Sequence, residues 1–165
     1  MKIIFRAVFI TVAAAAVFWL WTILFPSPEK LVLKKISQLA ATATFTGNDG
    51  NLTRAAKVSN FIGFFSTDAE ITIDAPELGV HTLSGRDEIR EAAARGFTGL
   101  AALNVQFLDV GVRIGPGKQT AEVSCTARVN GNDKKDYGVQ EMRFQLKKID
   151  GDWLITRAET VKTLS

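Results

Sequence analysis

The stretch HTLSGRDEIREAAARGF, residues 81–97, decides how the rest of the chain must be arranged. A short alternating run, VHTLS at 80–84, meets Gly85, and a helix begins at once. Asp87, Glu88 and Glu91 fall near the positive end of that helix, with Arg90 and Arg95 further on, as the helix dipole favours. Ile89, Ala92 and Ala93 give it only a narrow apolar face. A helix with so little to bury must lie on something larger, and the flanking sequence supplies a sheet.

Upstream, AEITIDA at 69–75 alternates, with Ile71 and Ile73 on one face. The turn PELG at 76–79 joins it to VHTLS as a short hairpin. Before the hairpin come two helix patterns. In PSPEKLVLKKISQLAATATF, residues 26–45, Ser27 is placed to cap, Pro28 suits the first helical position, and Glu29 meets the positive helix end. Val32, Ile36, Leu39 and Ala43 form the apolar stripe. A turn cluster, GNDGN at 47–51, leads to a second helix, LTRAAKVSNFIGFF, for which Asn51 is the expected cap. Asn51, Leu52 and Thr53 also spell a glycosylation acceptor, relevant only in a eukaryotic secretory pathway.

Downstream the chain reads as a meander of long strands. LNVQFLDVGVRIG, residues 103–115, changes apolar phase between Phe107 and Leu108, so a β-bulge or strong bend is expected there. TAEVSCTARV at 120–129 alternates strictly, with Ala121, Val123, Cys125, Ala127 and Val129 on one side. DYGVQEMRFQLKKI runs into DGD, a hairpin signal, and WLITRAETV closes the sheet. The predicted class is α+β: a curved antiparallel sheet wrapped around N-terminal helices.

Ahead of this domain lies AVFITVAAAAVFWLWTILF, residues 7–25, with no charge in 19 positions. As a helix it would extend about 28 Å, close to the hydrocarbon thickness of a bilayer. Trp19 and Trp21 lie towards its far end, where aromatic rings favour the interface. A cleaved signal peptide is the rival reading. The small-x-small site at Ala14 to Ala16 would leave VFWLWTILF exposed, and a cut after Ser27 would put Phe25 three places before the bond. The expectation is therefore a basic flank at 1–6, one transmembrane signal anchor at 7–25, and a folded domain at 26–165. No lipobox cysteine suggests a lipoprotein. Lys2 and Arg6 place the N-terminus inside and the domain on the extracytoplasmic, periplasmic side, although Lys30, Lys34 and Lys35 weaken the asymmetry.

Without Lys2 and Arg6 the chain holds 18 basic against 17 acidic residues, which argues against a nucleic-acid surface. Cys125 is the only cysteine, so neither an internal disulfide nor a thiolate metal cluster can form. One histidine with scattered carboxylates makes a poor zinc site, and no metal or cofactor is expected.

The pieces DAEITIDAP, GRDEI and DGDWLI, in that order and spacing, resemble the SnoaL-like branch of the nuclear-transport-factor-2-like superfamily. The resemblance covers residues 28 to 163. It implies a cone, in which a strongly curved sheet wraps the helices and leaves a pocket at its open end, and it implies a homodimer through the sheet. SGRDEI would then be the corner where the hairpin hands over to the helix lying on the sheet. Isomerases, dehydratases, cyclases, binding domains and scaffolds share this fold, so function must come from residues.

Asp74 is the sharpest catalytic candidate. In ketosteroid-isomerase-like members an Asp directly before Pro at the end of this strand removes a proton next to a carbonyl; here Ala75 intervenes before Pro76. Alternation also puts Asp74 opposite Ile71 and Ile73, and an Asp before a turn ordinarily stabilises the turn. His81, the only histidine, lies on the partner strand and could pair with Asp74 as a general base. Its bland alternative is a half-exposed strand histidine. Such chemistry would need donors for a developing oxyanion, and Tyr137 is the only tyrosine.

Arg157 and Glu159 share parity with Trp153 and Ile155, so they line the pocket if those two face the cone and are merely solvated otherwise. On the preceding strand Gln140, Met142, Phe144 and Leu146 form the expected inner set, with Glu141 and Arg143 outside. Phe61, Phe64, Phe65, Phe97 and Phe107 belong mostly to the core, with Phe61, Phe65 and Phe107 the candidates to reach a pocket. Three functions stay open: a tethered module binding a small apolar molecule, an isomerase, dehydratase or cyclase using Asp74, and an envelope scaffold.

Overall fold

The computed structural model describes residues 26–75, 79–131 and 136–161. In chain order the elements are α1 (Pro28–Ala43), α2 (Asn51–Ile62), β1 (Phe65–Ala75), β2 (Gly79–Ser84), α3 (Gly85–Gly99), β3 (Leu103–Ile114), β4 (Thr120–Gly131), β5 (Asp136–Ile149) and β6 (Asp152–Val161). Six strands form one sheet in the order β2-β1-β6-β5-β4-β3. The expected transmembrane span at 7–25 lies outside the described residues. Among those described, no helix is long and apolar enough to cross a membrane.

Local chemistry explains most boundaries. Ser27 caps α1, its hydroxyl accepting from the Lys30 amide at 3.4 Å, and Pro28 occupies the first turn. Val32, Ile36 and Leu39 are the buried stripe of α1. The second helix begins one residue earlier than expected: Gly50 is the N-cap, without a side-chain bond, and Asn51 is already helical. The carboxylate that organises this junction is Asp49, which accepts from the Thr46 amide at 3.0 Å and the Lys57 ammonium at 2.8 Å. Asp150 and Gly151, at φ 51° and 92°, make the tight left-handed turn between β5 and β6 that DGD predicts.

At the opening stretch, Gly85 has φ +83°, which a side chain would strain. The chain turns there from β2 directly into α3. Glu88 reaches back to accept the Ser84 amide at 2.8 Å, and the Arg86 guanidinium donates to the carbonyl of Phe65 on β1. SGRDEI is thus a corner clamped on both sides.

The sheet departs from expectation in one respect: it is mixed. β1 pairs with β6 in parallel, Ile71 opposite Ala158 and Thr72 opposite Glu159, while every other pair is antiparallel. The cause is α3, which carries the chain across to the far edge. The four-strand meander then returns β6 beside β1 in the same direction.

Two bulges set the faces. In β3, Asp109 and Val110 oppose the single residue Cys125, and Asp109 has φ 52°. Val105 and Phe107 before the bulge therefore share the inner face with Val110, Val112 and Ile114 after it, while Leu108 does not join the core. In β6 the register slips between Ile155, opposite Leu146, and Arg157, opposite Gln145. Thr156 is the extra residue, and its hydroxyl donates to the Gln145 carbonyl at 3.2 Å. Trp153, Ile155 and then Ala158 are buried, so Arg157 is turned outward.

Arg54 ties the helical layer together. Its guanidinium donates to the carbonyls of Phe97 (2.7 Å), Leu100 (3.0 Å) and Ala101 (2.9 Å) at the end of α3. It also reaches those of Asp49 (3.2 Å) and Thr46 (3.3 Å). The group lies over the Phe45 ring, 5.0 Å from its centroid, and Phe45 stacks on Phe97 at 4.8 Å. α3 carries no basic residue in its last turn, so α2 supplies the cation its negative end favours.

Candidate functional site

The inner face of the sheet changes character along its length. At one end Trp153, Ile155, Leu146 and Val123 are almost fully buried against Val32 and Ile36. Towards the other end the same face opens. On β1, Ile71 is 9% exposed and Ile73 43%. On β5, Phe144 is buried while Met142 and Gln140 are half-buried. On β6, Ala158 gives way to half-buried Thr160, and on β2 half-buried Leu83 gives way to exposed His81. The register brings these positions together, Met142 lying between Cys125 and Thr160, and Ile73 opposite His81. They define the mouth of a cone.

The aromatic candidates divide. Phe65 is 2% exposed and belongs to the core, not to a lining. Phe61 is half-buried, 5.1 Å from Phe65 and 6.3 Å from Phe97. Phe107 is half-buried and meets Phe144 edge-on at 5.5 Å, on the β3 side of the mouth. Gln140 is the one amide in this set.

Arg157 does not line the mouth. The bulge at Thr156 puts it on the outer face, where it bonds Glu159 at 3.2 Å; Glu159 also holds Arg143 at 3.2 Å from the neighbouring strand. No glycine or proline marks that bulge, so parity counted from Trp153 overshoots by one residue.

Asp74 pairs with Val80, and His81 with Ile73, so alternation sends the two to opposite faces of the hairpin. The Asp74 amide donates to the Thr160 hydroxyl at 2.8 Å, which continues the parallel ladder through a side chain. Thr160 and Leu83 were not among the sequence candidates. Their parity with Ala158 and Ile71 was the available signal, hidden in Thr160 by the bulge.

What the mouth can do follows from its groups. Among the described inner-face strand positions at the mouth there is no carboxylate; the polar members there are Gln140, Thr160 and His81. Among the described residues no cluster of His, Cys, Asp and Glu could hold a metal ion. Cys125 lies on the inner face, 6% exposed, and burial pushes its thiol up to about 11. With a thiolate fraction of only about one in a thousand at pH 8, native Cys125 is expected to resist alkylation and to react on unfolding. Mass spectrometry of iodoacetamide-treated protein, with and without urea, checks this.

This arrangement is the cone of the nuclear-transport-factor-2-like fold. The chain is similar to a nuclear-transport-factor-2-like protein with a cystatin-like fold from Novosphingobium aromaticivorans, at 15% identity and TM-score 0.64, over 91% of this chain and 87% of that one. It is similar to a domain of unknown function with a cystatin-like fold from Nostoc punctiforme, at 18% identity and TM-score 0.64, over 86% and 80%. A proposed scytalone dehydratase from Novosphingobium aromaticivorans aligns at 15% identity and TM-score 0.60, over 82% and 84%. At such identities the likeness is one of fold. No protein-family model matches the sequence, and no curated protein does.

Proposed function

We propose that this domain binds a small, largely apolar molecule through the mouth of the cone, without chemistry, and that residues 7–25 anchor it in a membrane with the domain on the extracytoplasmic side. The observation that carries the reading is the graded inner face, apolar where it is buried and open around Ile73, Met142, Gln140, Thr160 and His81. An amide, a hydroxyl and an imidazole among apolar walls suit orientation of a ligand with one or two polar atoms.

The dehydratase among the similar structures raises the catalytic alternative for Asp74 and His81. General acid–base chemistry needs both groups within reach of one substrate, and their opposite faces weigh against it. The scaffold alternative calls for an apolar outer sheet face. That face instead carries ion-paired Arg143, Glu159, Arg157, Arg113 and Glu122, and a second copy seated there would meet a polar surface.

Native mass spectrometry of the full chain released from detergent is expected to show a retained small molecule. Met142→Glu, which puts a charge among apolar walls, should weaken binding by about tenfold or more. Asp74→Asn should leave binding unchanged. Turnover of any retained compound that disappears in Asp74→Asn would replace this reading with the enzymatic one.

A further inference from the structure

The sheet has two edges, β3 and β2, and the chain treats them differently. On β3, the Leu103 amide donates to the Phe45 carbonyl at 2.9 Å, and the Leu103 carbonyl accepts from the Phe45 amide at 2.8 Å. The Thr44 hydroxyl meets the Val105 amide at 3.1 Å and the Val105 carbonyl at 3.4 Å. Beyond these, the bulge at Asp109 and the exposed Arg113 guard the edge. β2 has none of these devices. Its six residues pair with β1 in unbroken register, and GVHTLS contains no Lys, Arg, Asp, Glu or Pro.

Contacts on β1 show which backbone groups β2 turns outward. The Asp74 amide points towards β6, where it donates to the Thr160 hydroxyl. In an antiparallel pair, a residue whose backbone points away from its partner strand faces one that does the same. Val80, opposite Asp74, therefore turns its N–H and C=O to the free edge. Thr72 and Thr82 form a pair of the same kind, their hydroxyls 3.4 Å apart, as the closer side chains of a non-hydrogen-bonded pair allow. Ser84 is next in the series, and Glu88 already accepts from its amide. The open groups are thus the N–H and C=O of Val80 and of Thr82, and no bond reaches them among the described residues.

We infer that β2 pairs antiparallel with β2 of a second copy of this chain, about a two-fold axis at His81, joining two sheets edge to edge. The open groups are self-complementary because they flank His81 symmetrically. Val80 exchanges two bonds with Thr82 of the second copy, and Thr82 exchanges two with its Val80, so all four groups on each chain are satisfied. A register with Thr82 on Thr82 would need the Ser84 amide that Glu88 holds. With no Lys, Arg, Asp or Glu in β2, the axis brings no such like charges together. His81 then meets His81 of the second copy on the inner face, beside Ile73, the most exposed apolar residue of the mouth. The second copy thereby supplies an imidazole to that flank. The outer face of the sheet, with its ion pairs, stays free.

The test uses the full chain in detergent with Cys125→Ala and one new cysteine, His81→Cys, Thr82→Cys or Arg113→Cys, all at exposed positions. At the axis the two Cα atoms of residue 81 would lie about 4.5 Å apart, within disulfide reach. The two residues 82 would lie about 9 Å apart, beyond it. Mild oxidation should therefore trap a disulfide-linked dimer at 81 at least tenfold faster than at 82 or at 113 on the opposite edge. Equal rates at all three positions would mean random collision and overturn the pairing. Faster trapping at 82 than at 81 would overturn the register about His81. No dimer at 81, with the thiol shown to be reactive by iodoacetamide, would overturn the second copy as the occupant and leave the edge to another extended chain.

Discussion

Arg54→Ala is expected to lower the melting temperature by about 10 °C, from a loss of roughly 4 kcal/mol. Five carbonyl oxygens accept from this one guanidinium, three of them at the end of α3. Each bond to a charged donor contributes about 1.5–3 kcal/mol, reduced here by partial exposure, and their loss leaves the end of a helix without donors. Arg54→Lys keeps the charge but not the fork, so it should recover less than half of the loss. Thermal unfolding of the two variants measures both. If Arg54→Lys matched the native chain, the fork would not be the cause and charge alone would suffice.

Deleting Asp109 is the converse test. Without this extra residue Val110 stays opposite Cys125 and falls into ordinary alternation with Val105 and Phe107, so Val110, Val112 and Ile114 keep the inner face and the register with β4. What is lost is the bend that the bulge puts into β3. A cooperative unfolding transition is expected, destabilised by about 1–3 kcal/mol. Asp109→Gly is the control: φ 52° suits glycine, so that variant should be as stable as the native chain or slightly more so. A deletion variant without a cooperative denaturation transition would show that the cone needs the bend and not the alternation alone.

These bulges also explain what could be read in advance. The β3 bulge was legible because Phe107 and Leu108 are adjacent apolar residues in an otherwise alternating strand. The β6 bulge was not, because LITRA contains no residue that breaks the pattern in an obvious way, and the placement of Arg157 and Thr160 depended on it. α1, the DGD turn and the inner faces of β4 and β5 followed from caps, turn chemistry and strict alternation. The parallel pairing of β1 with β6 followed from none of these, since it depends on where α3 delivers the chain. The corner at Gly85 was visible as a junction, whereas its clamp by Arg86 on the Phe65 carbonyl needed the third dimension. The mouth itself was hardest to foresee. Alternation tells which residues face inward but not how far along the strand the filling by helices stops.

β6, the last described strand to be synthesised, occupies the middle of the sheet, between β1 and β5. The order of synthesis and the order of assembly therefore conflict. The hairpin of β1 and β2 can form early and α3 can settle beside it. The inner edge of β1 must nevertheless wait unpaired while the whole meander is made. In that interval the nascent chain presents an open strand edge next to Ile71 and Ile73, which is the moment when a neighbouring chain or a chaperone would find it most receptive.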